Sequence, residues 1–190
     1  MDRVIARTLR EVRACTICTD HLEPRPVLQL GGNARILIAG QAPGLKVHES
    51  GTLFADASGK RLRSWLGLDE ATFYDHDAVA ILPMGFCYPG RGGGGDLPPR
   101  LECADAWREK LLGFLPRVAL TVILGKHALA WHFSDTRPLN EVVGEWNERL
   151  PGNVVLPHPS PRNNPWLKRN PWFEQDVLPR LQARVREVLG

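Results

Sequence analysis

The sequence predicts an α/β fold: a three-layer α/β/α sandwich around a central, mostly parallel four-stranded sheet. Three observations predict it. Short apolar runs alternate with segments of helical periodicity. Three of the four runs end in loops rich in glycine and proline, the usual place for a ligand in such a sheet. The chain of 190 residues, 43% hydrophobic, suits one domain with its own core, so a single domain over 1–190 is expected.

The elements follow in order. Val4, Ile5, Leu9 and Val12 recur at helical spacing and predict a helix over 2–14. Residues 35–39 are an apolar run closed by Gly40, fitting a strand buried on both faces. Residues 59–67 suggest a helix ending at Gly67. Residues 77–82 read as the second strand. Residues 100–115 suit a helix, with Pro116 beyond its end. Residues 118–124 form the clearest strand, and Gly125 turns the chain into a helix at 126–133. Residues 153–156 make a fourth strand that stops at Pro157. Val177, Leu181, Val185, Val188 and Leu189 give 174–189 an apolar helical face. The glycine run 92–95 reads as a flexible loop segment, a candidate lid. No internal repeat or domain linker is visible.

The sixteen prolines and eighteen glycines cluster at 40–44, 83–99, 151–161 and 165–171. That pattern points to a rigid scaffold with shaped loops, where function tends to sit. No apolar run approaches the roughly 20 residues of a membrane helix. The start Met1-Asp2-Arg3-Val4 lacks the charged and apolar regions of a signal peptide. A cytoplasmic location with reduced thiols is therefore expected, and no membrane partner. The net charge of +3 permits a polyanionic partner.

Four cysteines stand out: Cys15, Cys18, Cys87 and Cys103, spaced C-x2-C, a long gap, then C-x15-C. The tight first pair suits two ligands on one metal or cluster. Four thiolates can hold zinc or a [4Fe–4S] cluster. Most zinc ribbons use two tight pairs, and the second pair here is not tight, which tilts the reading toward iron–sulfur and leaves zinc open. Buried free thiols or disulfides are the plain alternative.

Two loop motifs carry a resemblance. The loop after the first strand reads Gly40-Gln41-Ala42-Pro43-Gly44, and that after the fourth reads His158-Pro159-Ser160-Pro161-Arg162-Asn163. In these motifs, their order and their spacing the chain resembles the uracil-DNA glycosylase superfamily. Phe54 has the family's spacing from the first motif, and the cysteine pattern is similar to the iron–sulfur branch, families 4 and 5. The resemblance runs from about Cys15 to the C-terminal helix. It implies a [4Fe–4S] cluster on Cys15, Cys18, Cys87 and Cys103. It also implies a monofunctional glycosylase that hydrolyses the N-glycosidic bond of uracil in DNA, leaving an abasic site for base excision repair. The partner would be DNA carrying uracil or another deaminated base, bound by a monomer.

The chemistry needs these residue types. Cutting an N-glycosidic bond leaves a base anion and a sugar with oxocarbenium character, and fixed donors in a dry pocket stabilise the departing charge best. The resemblance gives that role to His158 and makes Phe54 stack on the flipped base. It lets the Gly40, Gln41, Ala42, Pro43 and Gly44 loop contact the base and place the water. Gln41 stands where family 4 usually has Glu, and a carboxamide orients water without being a base. Ala42 stands where the nuclear-type enzymes have Asp. His48, Glu49 and Asp56 are then the nearby candidates to activate the water, His48 first. Ser160, Pro161, Arg162 and Asn163 suit a rigid loop on DNA phosphates, with Arg162 entering or crossing the duplex. Lys168, Arg169, Arg91 and Arg100 extend a basic track.

One departure is large. Pro83 occupies the position where family 4 has a base-reading Asn, and proline offers no side-chain donor and no N–H. Base recognition is then expected to shift to backbone groups of Gly85 or Phe86. The departure leaves two alternatives to uracil excision: excision of another deaminated base such as hypoxanthine or xanthine, or non-catalytic binding of damaged or abasic DNA. Trp166, Trp172 and Phe173 are expected to pack the last helix onto the sheet rather than stack on bases.

Overall fold

The computed structural model describes residues 2–190. Helix α1 (Arg3–Arg13) opens the chain, with the Asp2 carboxylate capping the Val4 N–H at 2.7 Å. Strand β1 (Ile36–Ala39) leads into α2 (Leu45–Ser50), α3 (Ala57–Leu66) and α4 (Glu70–Tyr74). Strand β2 (Val79–Ile81) follows, then a small hairpin of β3 (Arg91–Gly92) and β4 (Gly95–Asp96). Helix α5 (Leu101–Leu112), strand β5 (Leu120–Leu124) and helix α6 (Lys126–Phe133) come next. Two short helices, α7 (Leu139–Gly144) and α8 (Trp146–Arg149), precede strand β6 (Asn153–Leu156). A 3₁₀ turn (Pro161–Asn163), α9 (Asn164–Arg169), a π-helical turn (Phe173–Val177) and α10 (Leu178–Leu189) complete the chain.

The main sheet has the order β2-β1-β5-β6 and is parallel throughout, as the apolar runs predict. Alternation along its strands separates two cores. Ile36, Ile38, Val79 and Ile81 face a cluster with α3 and α10. Leu37, Ala80 and Leu82 face the other side, with Ile5, Leu9 and Val12 of α1 and Leu111 of α5. Three layers result. Phe173 is fully buried, 5.0 Å from Trp65 between ring centroids, and Trp166 and Trp172 stack edge-on against it. These aromatics seat the last helix. The last helix also starts later than the periodicity predicts, because the π-helical turn intervenes before Pro179.

The glycine run is not an unstructured segment. It closes a two-residue antiparallel hairpin, with Arg91 opposite Asp96 and Gly92 opposite Gly95. Leu97 holds it: its N–H donates to the Gly90 carbonyl at 2.9 Å, and its side chain covers Gly92. No helix among the described residues is long and apolar enough to cross a membrane.

Candidate active site

The carboxyl ends of the four parallel strands converge, and the loops that leave them form the site. The loop after β1 and the turn after β2 are laced together. Leu82 N–H donates to the Ile38 carbonyl at 2.9 Å, Met84 N–H to Gly40 at 2.9 Å and Gly85 N–H to Gln41 at 3.0 Å. The sheet thus continues as main-chain bonding beyond its last strand residues. Pro83 costs this lacing nothing, since the bonds come from its neighbours. The Phe86 N–H donates to the Cys103 sulfur at 3.3 Å. The N–H groups of Gly85 and Phe86 are thus both committed within the protein.

Gln41 reaches toward β5. Its Oε1 lies 3.6 Å from the point a Cβ on Gly125 would occupy, and Gly125 turns into α6 at φ 90°. A side chain at 125 would be strained at that φ, though it would meet Gln41 only at ordinary contact distance. Pro43 is buried, Ala42 and Gly44 are partly exposed, and Gly40 is buried beneath the Phe54 ring, 3.9 Å from its would-be Cβ.

Phe54 is held in an unusual backbone state. Its φ is 56°, in the left-handed region that costs a non-glycine residue about 1–3 kcal/mol. Three groups fix it. Arg63 Nη1 donates to the Phe54 carbonyl at 3.3 Å, Tyr74 Oη donates to the Leu53 carbonyl at 2.9 Å, and Gly59 leaves room for the Phe54 carbonyl, which lies 1.7 Å from where a Cβ on 59 would fall. The ring itself packs edge-on against Phe73 at 6.1 Å. The strain is therefore over-determined by its surroundings.

His158 follows β6 between the buried Pro157 and Pro159. Its Nδ1 accepts the Ser160 N–H at 3.2 Å, which puts the proton of a neutral ring on Nε2. The Asn163 carboxamide donates to the His158 carbonyl at 2.7 Å, and Arg61 donates to the Ser160 carbonyl at 3.2 Å. Burial pushes the His158 pKa below the ordinary histidine range, with the Asp56 and Asp96 carboxylates pulling partly the other way. The ring is thus a neutral, oriented donor. Ser160 also caps the 3₁₀ turn, its Oγ accepting the Arg162 N–H at 3.3 Å.

The glycine hairpin bridges the two motif loops. An Asp96 carboxylate oxygen lies 3.7 Å from the would-be Cβ of Gly44, and Arg162 Nη1 lies 2.7 Å from that of Gly95. Arg162 and Pro161 are exposed, as are Lys168, Arg169 and Arg91. Arg100 leaves the basic track: it pairs with Glu102 and reaches the Cys18 sulfur. Asp56 caps α3 through the Gly59 N–H at 3.1 Å. His48 is buried on α2, with Nε2 3.4 Å from Glu23 Oε2, its ring centroid 6.0 Å from that of Tyr88 and Nδ1 unpartnered. Among the described residues no hydrogen bond joins it to Gln41 or His158. The structure sets Phe54 over Gly40, turns Gln41 toward Gly125, holds His158 in the loop after β6 and turns His48 toward Glu23. Arg61, Arg63, Tyr74 and Asp96 carried no signal in the sequence, being far from the motifs they support.

A cavity lies between α1, the turn after β2 and α5. Cys15, Cys18, Cys87 and Cys103 line it, floored by Val12, Phe86 and Trp107, and none is in a disulfide. Two of the sulfurs accept N–H hydrogen bonds: Trp107 Nε1 donates to Cys15 at 3.3 Å and the Phe86 N–H to Cys103 at 3.3 Å. Sulfurs placed as acceptors fit thiolate ligands better than neutral thiols. Burial raises the pKa of free Cys18 and Cys87 and pushes Cys103 up to about 12, so a bound cation is what would deprotonate them.

A parallel sheet thus carries a half-buried histidine after its last strand and a carboxamide loop with a phenylalanine ring over it after its first. The sequence model of the uracil DNA glycosylase superfamily matches residues 28–182, which takes in both motif loops and Phe54. The chain belongs to the uracil DNA glycosylase superfamily and is, in general terms, a DNA glycosylase.

Proposed function

We propose that this protein excises uracil from DNA by hydrolysis and leaves an abasic site. The observation that carries the reading is His158, a half-buried neutral imidazole whose Nε2–H is free to donate. Uracil leaves with the electrons of the C1′–N1 bond, and the new charge gathers on its carbonyl oxygens. A fixed donor there, in a dry pocket, stabilises the leaving anion without transferring its proton. Phe54 stacks on the flipped base over Gly40. The Gln41 carboxamide orients the water whose oxygen bonds to C1′, while its proton passes to solvent. A dissociative reaction asks little of its nucleophile, so positioning replaces the missing carboxylate at Ala42. Arg162, with Ser160, Pro161 and Asn163, meets the DNA backbone.

The four cysteines Cys15, Cys18, Cys87 and Cys103 round one cavity support a [4Fe–4S] cluster, while among the described residues no three of them stand close enough to hold a single metal ion. Bound, it would tie α1 to the turn after β2 and to α5. A second reading, excision of another deaminated base such as hypoxanthine or xanthine, is favoured by Pro83 and by the committed N–H groups of Gly85 and Phe86.

The test is excision from labelled oligonucleotides, single- and double-stranded, each with one uracil, hypoxanthine or xanthine, followed by alkaline cleavage. Uracil release lost in His158→Ala supports the first reading. Release of a purine alone supports the second. No release from folded, iron-loaded protein overturns both.

A further inference from the structure

Helix α5 carries a buried cation that none of these steps uses. Arg108 is fully buried. Its Nη1 donates to the carbonyls of Leu82 at 2.9 Å and Pro83 at 3.0 Å. Its Nη2 lies 2.7 Å from His132 Nε2, which accepts, and its guanidinium carbon stands 4.9 Å from the Trp131 ring centroid. Its Nε has no partner. Among the described residues no carboxylate pairs with it. Burial pushes its pKa down to about 10, so it keeps its charge at neutral pH, and His132, at about 4, does not share it.

A buried cation without a counter-ion is costly, and an apolar residue of similar volume is often the more stable choice. Its place gives the reason. The two carbonyls it grips belong to the turn after β2, the wall of the pocket where Pro83 replaces a reading side chain. The same helix carries Cys103, the one group whose negative charge would bear on it. A metal centre held on the four thiolates would add negative potential there, which would oppose a base leaving as an anion.

We propose that Arg108 is a positioning residue that fixes the Leu82–Pro83 turn and sets a positive charge behind the leaving base. The proposal rests on the glycosylase reading. In a low-dielectric interior such a charge acts over several ångströms. Its loss should therefore matter most for a poor leaving group.

The experiment compares Arg108→Lys, Arg108→Gln and Arg108→Met with the iron-loaded wild type, in single turnover on oligonucleotides carrying uracil or 5-fluorouracil. Fluorine makes the departing anion more stable. The neutral variants should lose about tenfold more rate on uracil than on 5-fluorouracil, equal to about 1.4 kcal/mol of selective stabilisation. Arg108→Lys should keep the wild-type ratio. Equal losses on both bases would overturn the proposal and leave the glycosylase reading intact. So would failure of both neutral variants to fold, by thermal melting, while Arg108→Lys folds. Wild type that releases neither base overturns the reading beneath it.

Discussion

Replacing Gly59 by alanine adds one methyl group whose landing point is defined. It falls 1.7 Å from the Phe54 carbonyl oxygen, 2.5 Å from the carbonyl carbon and 2.7 Å from the Phe54 Cβ. Packed Cβ atoms essentially never come within 3.0 Å of a neighbour, so the Phe54 carbonyl must retreat by about 1.3 Å. That carbonyl is the one Arg63 holds, on a residue at φ 56° whose ring covers Gly40. Two effects compete in stability. Alanine in a helix gains up to about 1 kcal/mol over glycine. Overpacking costs about 1–3 kcal/mol. The clash is with backbone that two hydrogen bonds pin, so overpacking wins and Gly59→Ala should be destabilised by about 1 kcal/mol. A displacement near 1 Å at a stacking residue costs about a hundredfold in rate. Urea melts and single-turnover excision read the two quantities, with a gel shift to show that DNA affinity survives. A Gly59→Ala protein more stable than wild type, cutting at the wild-type rate, would refute the view that this carbonyl sets the Phe54 ring.

Excision should stay level from neutral pH upward and fall on the acid side, because His158 must be neutral with Nδ1 unprotonated to accept from Ser160. Its lowered pKa places that fall below the ordinary histidine value of 6.5, and a rate that climbs from pH 7 to pH 5 would contradict it. The same shift makes stability depend on pH: between the unfolded and folded pKa the unfolded chain binds more protons, so stability drops as pH falls through that window. Cys103→Ser, made without air, should lose iron and visible colour together; wild type that holds zinc and no iron would refute the cluster. Arg162→Ala should weaken DNA binding on every sequence alike and reduce the salt slope by about 1. A variant with the wild-type slope would take Arg162 off the phosphates.

The sheet was legible because its strands are buried on both faces. Ile36 to Ala39 and Leu120 to Leu124 are nearly unbroken apolar runs, and no other element of this fold produces them. Helices α2 and α4 were not legible, since six and five residues give no period to count. The hairpin was invisible for another reason: glycine writes no side-chain pattern, and Leu97, one position past the hairpin, fixes its register. Gln41 and His158 stand out in the sequence because each lies in a short loop just past a strand end, whereas Phe54, between α2 and α3, stands out only by its spacing from the first motif. Their supports do not. Arg61 meets Ser160 across 99 residues, and Tyr74 meets Leu53 across 21. Such pairings exist only once the layers have closed. One helical turn of α2 carries the His48 ring to Glu23, a partner its place beside the first motif does not announce.

The lacing of the two pocket loops has an evolutionary consequence. Met84 and Gly85 hold Gly40 and Gln41 by main chain alone. No side chain at 41, 42 or 83 is needed to keep the cleft open at its proper width. Those three positions can mutate singly, each new residue tried against an unchanged mould. A lineage can therefore change the base it removes by small steps, without passing through a form that has lost its shape.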